Sequence, residues 1–282
     1  MHLKTFNFYQ HVKDNIQGIT HEDVFYSNQD TYKDTRINFP YRTTEFAIAV
    51  CYGPEHTKCR LGSVEYPISK GSLITLGPGI VTSYGSQYDL KFEIVYFTEV
   101  LFHDLIVPKP NTLPFFVHGG KHMLIVNTED LNRLKVLFQS IKTFRENRNI
   151  LQGLVYSLVQ LVQQIHLGNQ RDNSISSKEL ITQKFKALIA RHFIKSKEVG
   201  FYANQFHITP KYLSEVLQEI TGKTAKELIN EHLFLEAKSL LRQTPMTIKE
   251  IAYWLGFEDQ SYFVRAFKKN VGTTPAIYRK GG

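Results

Sequence analysis

The amino-acid sequence predicts an α+β fold, with a β-rich part and two helices ahead of an all-α part. Three observations point there. Between about Glu45 and Thr98, short runs of apolar and β-branched residues alternate with glycine and proline turn signals. From Glu129 onward the apolar residues recur with helical periodicity. Beyond Gly168 the chain repeats itself at about 50 residues. A chain of 282 residues, 42% of them hydrophobic, is long enough to bury two cores.

The strand-like runs are EFAIAVCY, CRLGSVEYPI, SLITL and LKFEIVYFT, divided by Gly53-Pro54, Lys70-Gly71 and Gly77-Pro78-Gly79. Their spacing fits an antiparallel barrel or sandwich. Leu131, Leu134, Val136 and Phe138 mark a first helix, and Leu151, Leu154, Val155, Leu158, Val159, Leu161, Val162 and Ile165 a second. The second, over 151–166, is apolar around a broad arc, so it packs against the β-rich part or forms a dimer seam. GNQRDNSISSK has linker composition. It divides an N-terminal domain, 1–168, from a C-terminal domain, 179–282, through a linker at 169–178.

In the C-terminal domain the helix boundaries are written out. Thr209 is an N-cap with Pro210 at the first helical position, opening PKYLSEVLQEIT, which stops at Gly222. Leu213, Val216, Leu217 and Ile220 form one apolar face of that helix. Thr224 and Glu227 form a capping box for a long helix ending at about Leu241 or Arg242. Thr247 and Glu250 form another, starting a helix with Ile248, Ile251, Ala252 and Leu255. After Gly256 the chain restarts at Asp259 as QSYFVRAFKKN and closes at Gly272.

The two halves match position by position: Ala203 with Ala252, Phe206 with Leu255, Tyr212-Leu213 with Tyr262-Phe263, Leu217 with Phe267 and Gly222 with Gly272. Each half is a short helix, a tight turn and a second helix, the helix-turn-helix pattern. Two copies are too few to stack a solenoid. Charge follows the same division, with 16 Lys and Arg against 15 Asp and Glu in 1–168, and 18 against 11 afterwards. A basic surface confined to one domain suits a polyanion, although charge alone does not separate nucleic acid from an anionic membrane.

The stretch from Phe201 to Arg279 resembles the DNA-binding domain of the AraC/XylS family of transcriptional regulators. PKYLSEVLQEITGKTAKELI, HLFLEAKSLL and above all IKEIAYWLGFEDQSYFVRAFKKNVGTTPAIYR carry the resemblance. It implies that the N-terminal part is a cupin-like β-barrel domain that binds an effector or dimerises. It also implies a sequence-specific regulator, an activator, controlled by a small molecule. The expected partners are operator DNA, the effector, a second copy of the chain in a homodimer and RNA polymerase. No cofactor, metal or membrane is expected.

Major-groove readout needs outward side chains near the N-terminus of each second helix. With the apolar faces assigned, the outward set is Lys211, Ser214, Glu215 and Gln218 in the first motif and Gln260, Ser261, Val264, Arg265 and Lys268 in the second. Arg265 suits the two guanine acceptors, Gln260 adenine and Val264 a thymine methyl. Lys211, Ser214, Glu215 and Ser261 complete the expected base-contacting set. Thr209, Gln218, Lys268, Lys269 and Arg279 are expected at phosphates, which position a protein without specifying sequence. Glu215 departs from the family, which frequently has a basic residue there. A cytosine amino group would suit it, but a surface ion pair or a solvated position is the plainer expectation.

The first domain offers little chemistry. His56, His103, His118 and His122 are scattered, and Gly119-Gly120 make a helical metal pair of His118 and His122 improbable, leaving surface or loop histidines. Cys51 and Cys59 flank the Gly53-Pro54 turn, as a redox pair across two strands or as small buried apolar residues. Two cysteines do not supply the cluster required by the DNA-repair methyltransferases that carry similar helix-turn-helix parts. An enzyme is therefore not expected; a constitutive DNA binder whose first domain only dimerises is the remaining alternative. MHLKTFNFYQHVKDN lacks an export signal and no apolar run approaches a membrane span, so a cytoplasmic protein is expected.

Overall fold

The computed structural model describes residues 21, 23–30, 40–42, 44–53, 57–62, 64–84, 91–104, 110–117, 119–171 and 176–280. The chain divides into two compact units, built mainly on Arg42–Ser174 and Ile175–Gly282. Each has its own hydrophobic core.

The strands of the first unit form two sheets. One has the order β1 (Val24–Asn28), β8 (Lys91–Phe97), β3 (Phe46–Gly53), β6 (Ser72–Leu76), β9 (Met123–Ile125). The other has the order β2 (Tyr41–Arg42), β7 (Val81–Tyr84), β4 (Thr57–Leu61), β5 (Val64–Ile68). Residues of β3 alternate between two buried faces. Phe46, Ile48 and Val50 join Val95, Phe97 and Leu73 in the core shared with Leu134 and Phe138 of α1 (Thr128–Thr143) and Val155, Leu158 and Val162 of α2 (Arg148–Arg171). Ala47, Ala49 and Cys51 point the other way and are buried too. Burial on both faces is why EFAIAVCY reads as a continuous apolar run. The expected α+β architecture stands, with the cupin-like part made of two antiparallel sheets.

Two expectations change here. Cys51 lies in β3 and Cys59 in β4, which belong to different sheets, so they are not neighbours across one hairpin ladder. And α2 continues past Gly168 to Arg171, because GNQ carries no helix stop strong enough to outweigh the preceding turns. The packing alternative for this helix holds for one face: Leu151, Val155, Leu158, Val162 and Ile165 lie in the core. Ile150 and Leu167 remain exposed on the other.

The second unit is all helical: α3 (Ser177–His192), α4 (Val199–Gln205), α5 (Pro210–Thr221), α6 (Ala225–Gln243), α7 (Ile248–Trp254), α8 (Gln260–Val271) and α9 (Pro275–Lys280). The capping boxes at Thr224 and Thr247 form as expected, and Ser176 with Glu179 makes a third at the start of α3. The α6 helix is buried around most of its circumference, so it serves as the axis on which the other helices pack.

Candidate nucleic-acid interface

The two motifs are built by the same local devices. The Thr209 hydroxyl accepts from the Tyr212 backbone N–H at 3.1 Å, and the Asp259 carboxylate accepts from that of Tyr262 at 2.6 Å. Each cap satisfies one of the donors that a helix start leaves open. The second helices end at Gly222 and Gly272, with φ of 71° and 88°, in the left-handed region where a Cβ is strained. The turns before them, 206–209 and 255–259, differ by the one residue that separates the repeats. Ala203 and Ala252 are fully buried, as are Leu213 with Leu217 and Phe263 with Phe267 one helical turn apart.

Fixing those anchors inward turns the remaining positions outward. Lys211, Glu215 and Gln218 on α5 are exposed and Ser214 is half-buried. On α8, Gln260, Ser261, Arg265, Lys268 and Lys269 are exposed and Val264 is half-buried. Tyr212 and Tyr262, at 43% and 59% exposure, occupy equivalent places in the first turn of each helix. Sequence reasoning used this pair to align the repeat yet left both rings off the outward surface. An aromatic residue recurring beside the helix start was the available signal.

Hydrogen bonding further sorts the set. Lys211 Nζ lies 3.9 Å from Glu215 Oε1 in an exposed i,i+4 pair, worth well under about 1 kcal/mol and easily exchanged for other partners. Gln218 Nε2 donates to the Gly222 carbonyl at 2.9 Å, closing the end of α5. Arg279 Nε donates to the Leu241 carbonyl at 3.1 Å and its Nη2 to that of Met246. That guanidinium, half-buried, ties α9 to the last turn of α6 and to the connection after it. The caps show in the acids: the Thr224 and Thr247 backbone amides hold the Glu227 and Glu250 carboxyls below the usual range.

In the first unit His103 is exposed, and His122, expected as a surface or loop histidine, lies in the loop before β9 and is buried, with Nδ1 3.2 Å from the Phe115 carbonyl oxygen. His56 and His118 lie outside the described residues. Among the described residues no group of three His, Cys, Asp or Glu is placed to hold a metal. Burial pushes both cysteine thiols up to about 12, against the thiolate that disulfide exchange requires.

Two helix-turn-helix motifs on one axial helix, each with polar residues exposed on its second helix, define a DNA-binding protein of the tandem helix-turn-helix class. Comparison with known proteins gives the same class. A family model described as a helix-turn-helix domain matches residues 202–281. PqrA of Proteus vulgaris, a probable transcription factor, is 35% identical over 85 residues, covering 30% of this chain and 70% of PqrA. The chain belongs to the AraC/XylS family of transcriptional regulators. YijO of Escherichia coli, an uncharacterized helix-turn-helix regulator, is 31% identical over 114 residues, and the match spans only 40% of either protein. RhaR of Salmonella dublin, a helix-turn-helix transcriptional activator, is 25% identical over 220 residues, 76% of this chain and 77% of RhaR.

Proposed function

We propose that the protein activates transcription from an operator whose adjacent major-groove segments are read by α5 and α8, under control of a small molecule held in the first unit. The observation carrying the DNA side is that each second helix leaves polar residues exposed near its N-terminus while its apolar side is buried. Gln260, Ser261, Val264 and Arg265 are the base readers of α8, with Lys211 and Ser214 those of α5. Glu215, paired with Lys211, adds little base identity. Thr209, Gln218, Lys268 and Lys269 stand beside them where phosphates would pass. The α6 helix, 19 residues and so about 28 Å long, suits two readers about one turn of DNA apart. Activation is the role named for RhaR, which matches most of both chains.

The effector side rests on the inner faces of the sheets. Ser27, Ile94, Ala49 and Ile74 lie side by side across the larger sheet, and Leu61 pairs with Thr82 in the smaller. The hydroxyls of Ser27 and Thr82 are fully buried with no hydrogen-bond partner. An orphaned buried hydroxyl costs about 1–3 kcal/mol, so two of them among apolar side chains favour a bound molecule that satisfies them. We assign regulation to 1–168 and DNA binding to 179–282, with the end of α2 and the start of α3 in the stretch between them, in the cytoplasm and without enzymatic activity. A homodimer is the assembly we assign, and α2, with no Lys, Arg, Asp or Glu between Arg148 and Arg171, is the element that would accept a second copy at least cost in buried charge. RNA polymerase is the further partner that activation entails.

Selection of bound duplexes from random DNA with the full chain tests the first half. Two conserved segments about one helical turn apart are expected, and a pool without enrichment sinks the reading. A metabolite screen by thermal shift tests the second; if no compound also alters operator affinity, the first domain only dimerises.

A further inference from the structure

The connection between α3 and α4, Phe193–Glu198, touches both motifs and the helix between them. Its Ser196 carbonyl accepts from the Tyr202 hydroxyl of α4 at 2.9 Å. Its Lys197 carbonyl accepts from Lys226 Nζ, in the first turn of α6, at 3.1 Å. The Lys197 side chain then reaches the second motif: Nζ donates to the Gly256 carbonyl at 2.6 Å and sits 4.0 Å above the centre of the Phe257 ring. Gly256 and Phe257 belong to the turn that sets the direction of α8. Backbone contact reinforces the side chain, because a Cβ at Gly256, where φ is 72°, would lie 2.8 Å from the Ile194 carbonyl oxygen. At the same junction the Phe193 ring meets His232 of α6 at 4.8 Å and Trp254 of α7 at 6.5 Å between centroids.

From this geometry we infer that Lys197 is a positioning residue that locks the second reading helix to the first, and so sets which half-site spacing the protein accepts. The α6 helix joins the motifs and meets α8 through the Phe234 and Phe267 rings, 6.0 Å apart, and the connection between α3 and α4 adds a second, lateral hold on the second motif. The Lys197 ammonium is suited to that task. A charge-assisted bond to a carbonyl and a cation over an aromatic face are each stronger where water is partly excluded. Burial, then the neighbouring Lys226, lowers its pKa, which marks that exclusion. The role rests on the reading that both motifs engage one duplex.

The test uses the full chain and two duplexes: an operator obtained by selection, and the same operator with one base pair inserted between its half-sites. The insertion moves one site by about 3.4 Å and about a tenth of a turn. The unaltered protein is expected to lose at least about tenfold in affinity on the longer duplex. Lys197→Met, which keeps the aliphatic stem over Phe257 but removes the donor and charge, is expected to cut that penalty at least threefold, and Lys197→Arg to restore most of it. Because the readout is a ratio, any general loss of attraction to phosphate cancels. An insertion penalty in Lys197→Met equal to that of the unaltered protein, with an unchanged melting temperature, overturns the positioning role. No penalty in the unaltered protein overturns the simultaneous reading by both motifs instead.

Discussion

Arg265 and Glu215 occupy the same register in their two motifs, and the difference between them decides how unequal the motifs are. Arg265 is exposed on the outward face of α8 with five donors in a planar fork, the geometry that matches guanine. Glu215 sits in an exposed pair with Lys211, where its charge offsets that of a lysine in the first turn of the helix. We expect Arg265→Ala to cost about 1–3 kcal/mol on a selected operator while changing affinity for random duplex little. Glu215→Ala should change operator affinity by less than about 1 kcal/mol, in either direction. Fluorescence anisotropy titrations on both duplexes separate the cases, and equal losses of Arg265→Ala on the two would mean a phosphate contact.

At the scale of the element, helix ends and helix crossings are governed by different physics. Thr247 accepts from the Glu250 backbone N–H at 3.2 Å, while its own N–H donates to the Glu250 carboxylate at 2.7 Å, so one residue satisfies both sides of the box. Thr247→Ala should therefore cost about 1 kcal/mol of unfolding free energy, read by urea titration of the full chain. The crossing of α7 over α8 is less forgiving. Ala252 is fully buried beside Phe263 and Phe267, and its equivalent Ala203 beside Leu213 and Leu217. Ala252→Leu adds three carbons to a filled site and should destabilise by about 1–3 kcal/mol or displace α8 and so lower operator affinity. A variant with unchanged stability and affinity would show the crossing to be loosely packed.

At the scale of the molecule, the first unit has a core of its own, and pH is a way to address it. His166 of α2 is buried, stacked on Phe115 at 4.5 Å, and its Nε2 has no hydrogen-bond partner. Burial, then the nearby Lys121 and His122, lowers its pKa from 6.5 to about 4. A depressed pKa means that the unfolded chain takes up the proton first. Stability is thus intact above pH 6.5 and declines as pH falls toward 4, by up to about 3 kcal/mol. His166→Phe keeps the ring stacking and removes the titration. Its melting temperature should fall less than that of the unaltered protein between pH 7 and pH 4.5, and parallel curves would show that His166 protonates freely in the folded state.

The sequence by itself determined the helix boundaries and the faces of the second unit, because these depend on near neighbours. Thr209-Pro210, Thr224 with Glu227, Thr247 with Glu250, and the closing glycines act within one turn of the helices that they start or stop, so their meaning survives without the fold. The outward positions of α5 and α8 followed from the same 3.6-residue period. Only the tertiary structure decided what depends on residues far apart in the chain. It sent Cys51 and Cys59 to different sheets, buried His122 and His166, and spent the Arg279 donors on the Leu241 and Met246 carbonyls. It also brought Lys197 to Gly256, 59 residues away, a contact that periodicity and caps do not encode. The tandem motifs were legible because each is a local object; the brace that orients them was not, because it exists only once both have folded.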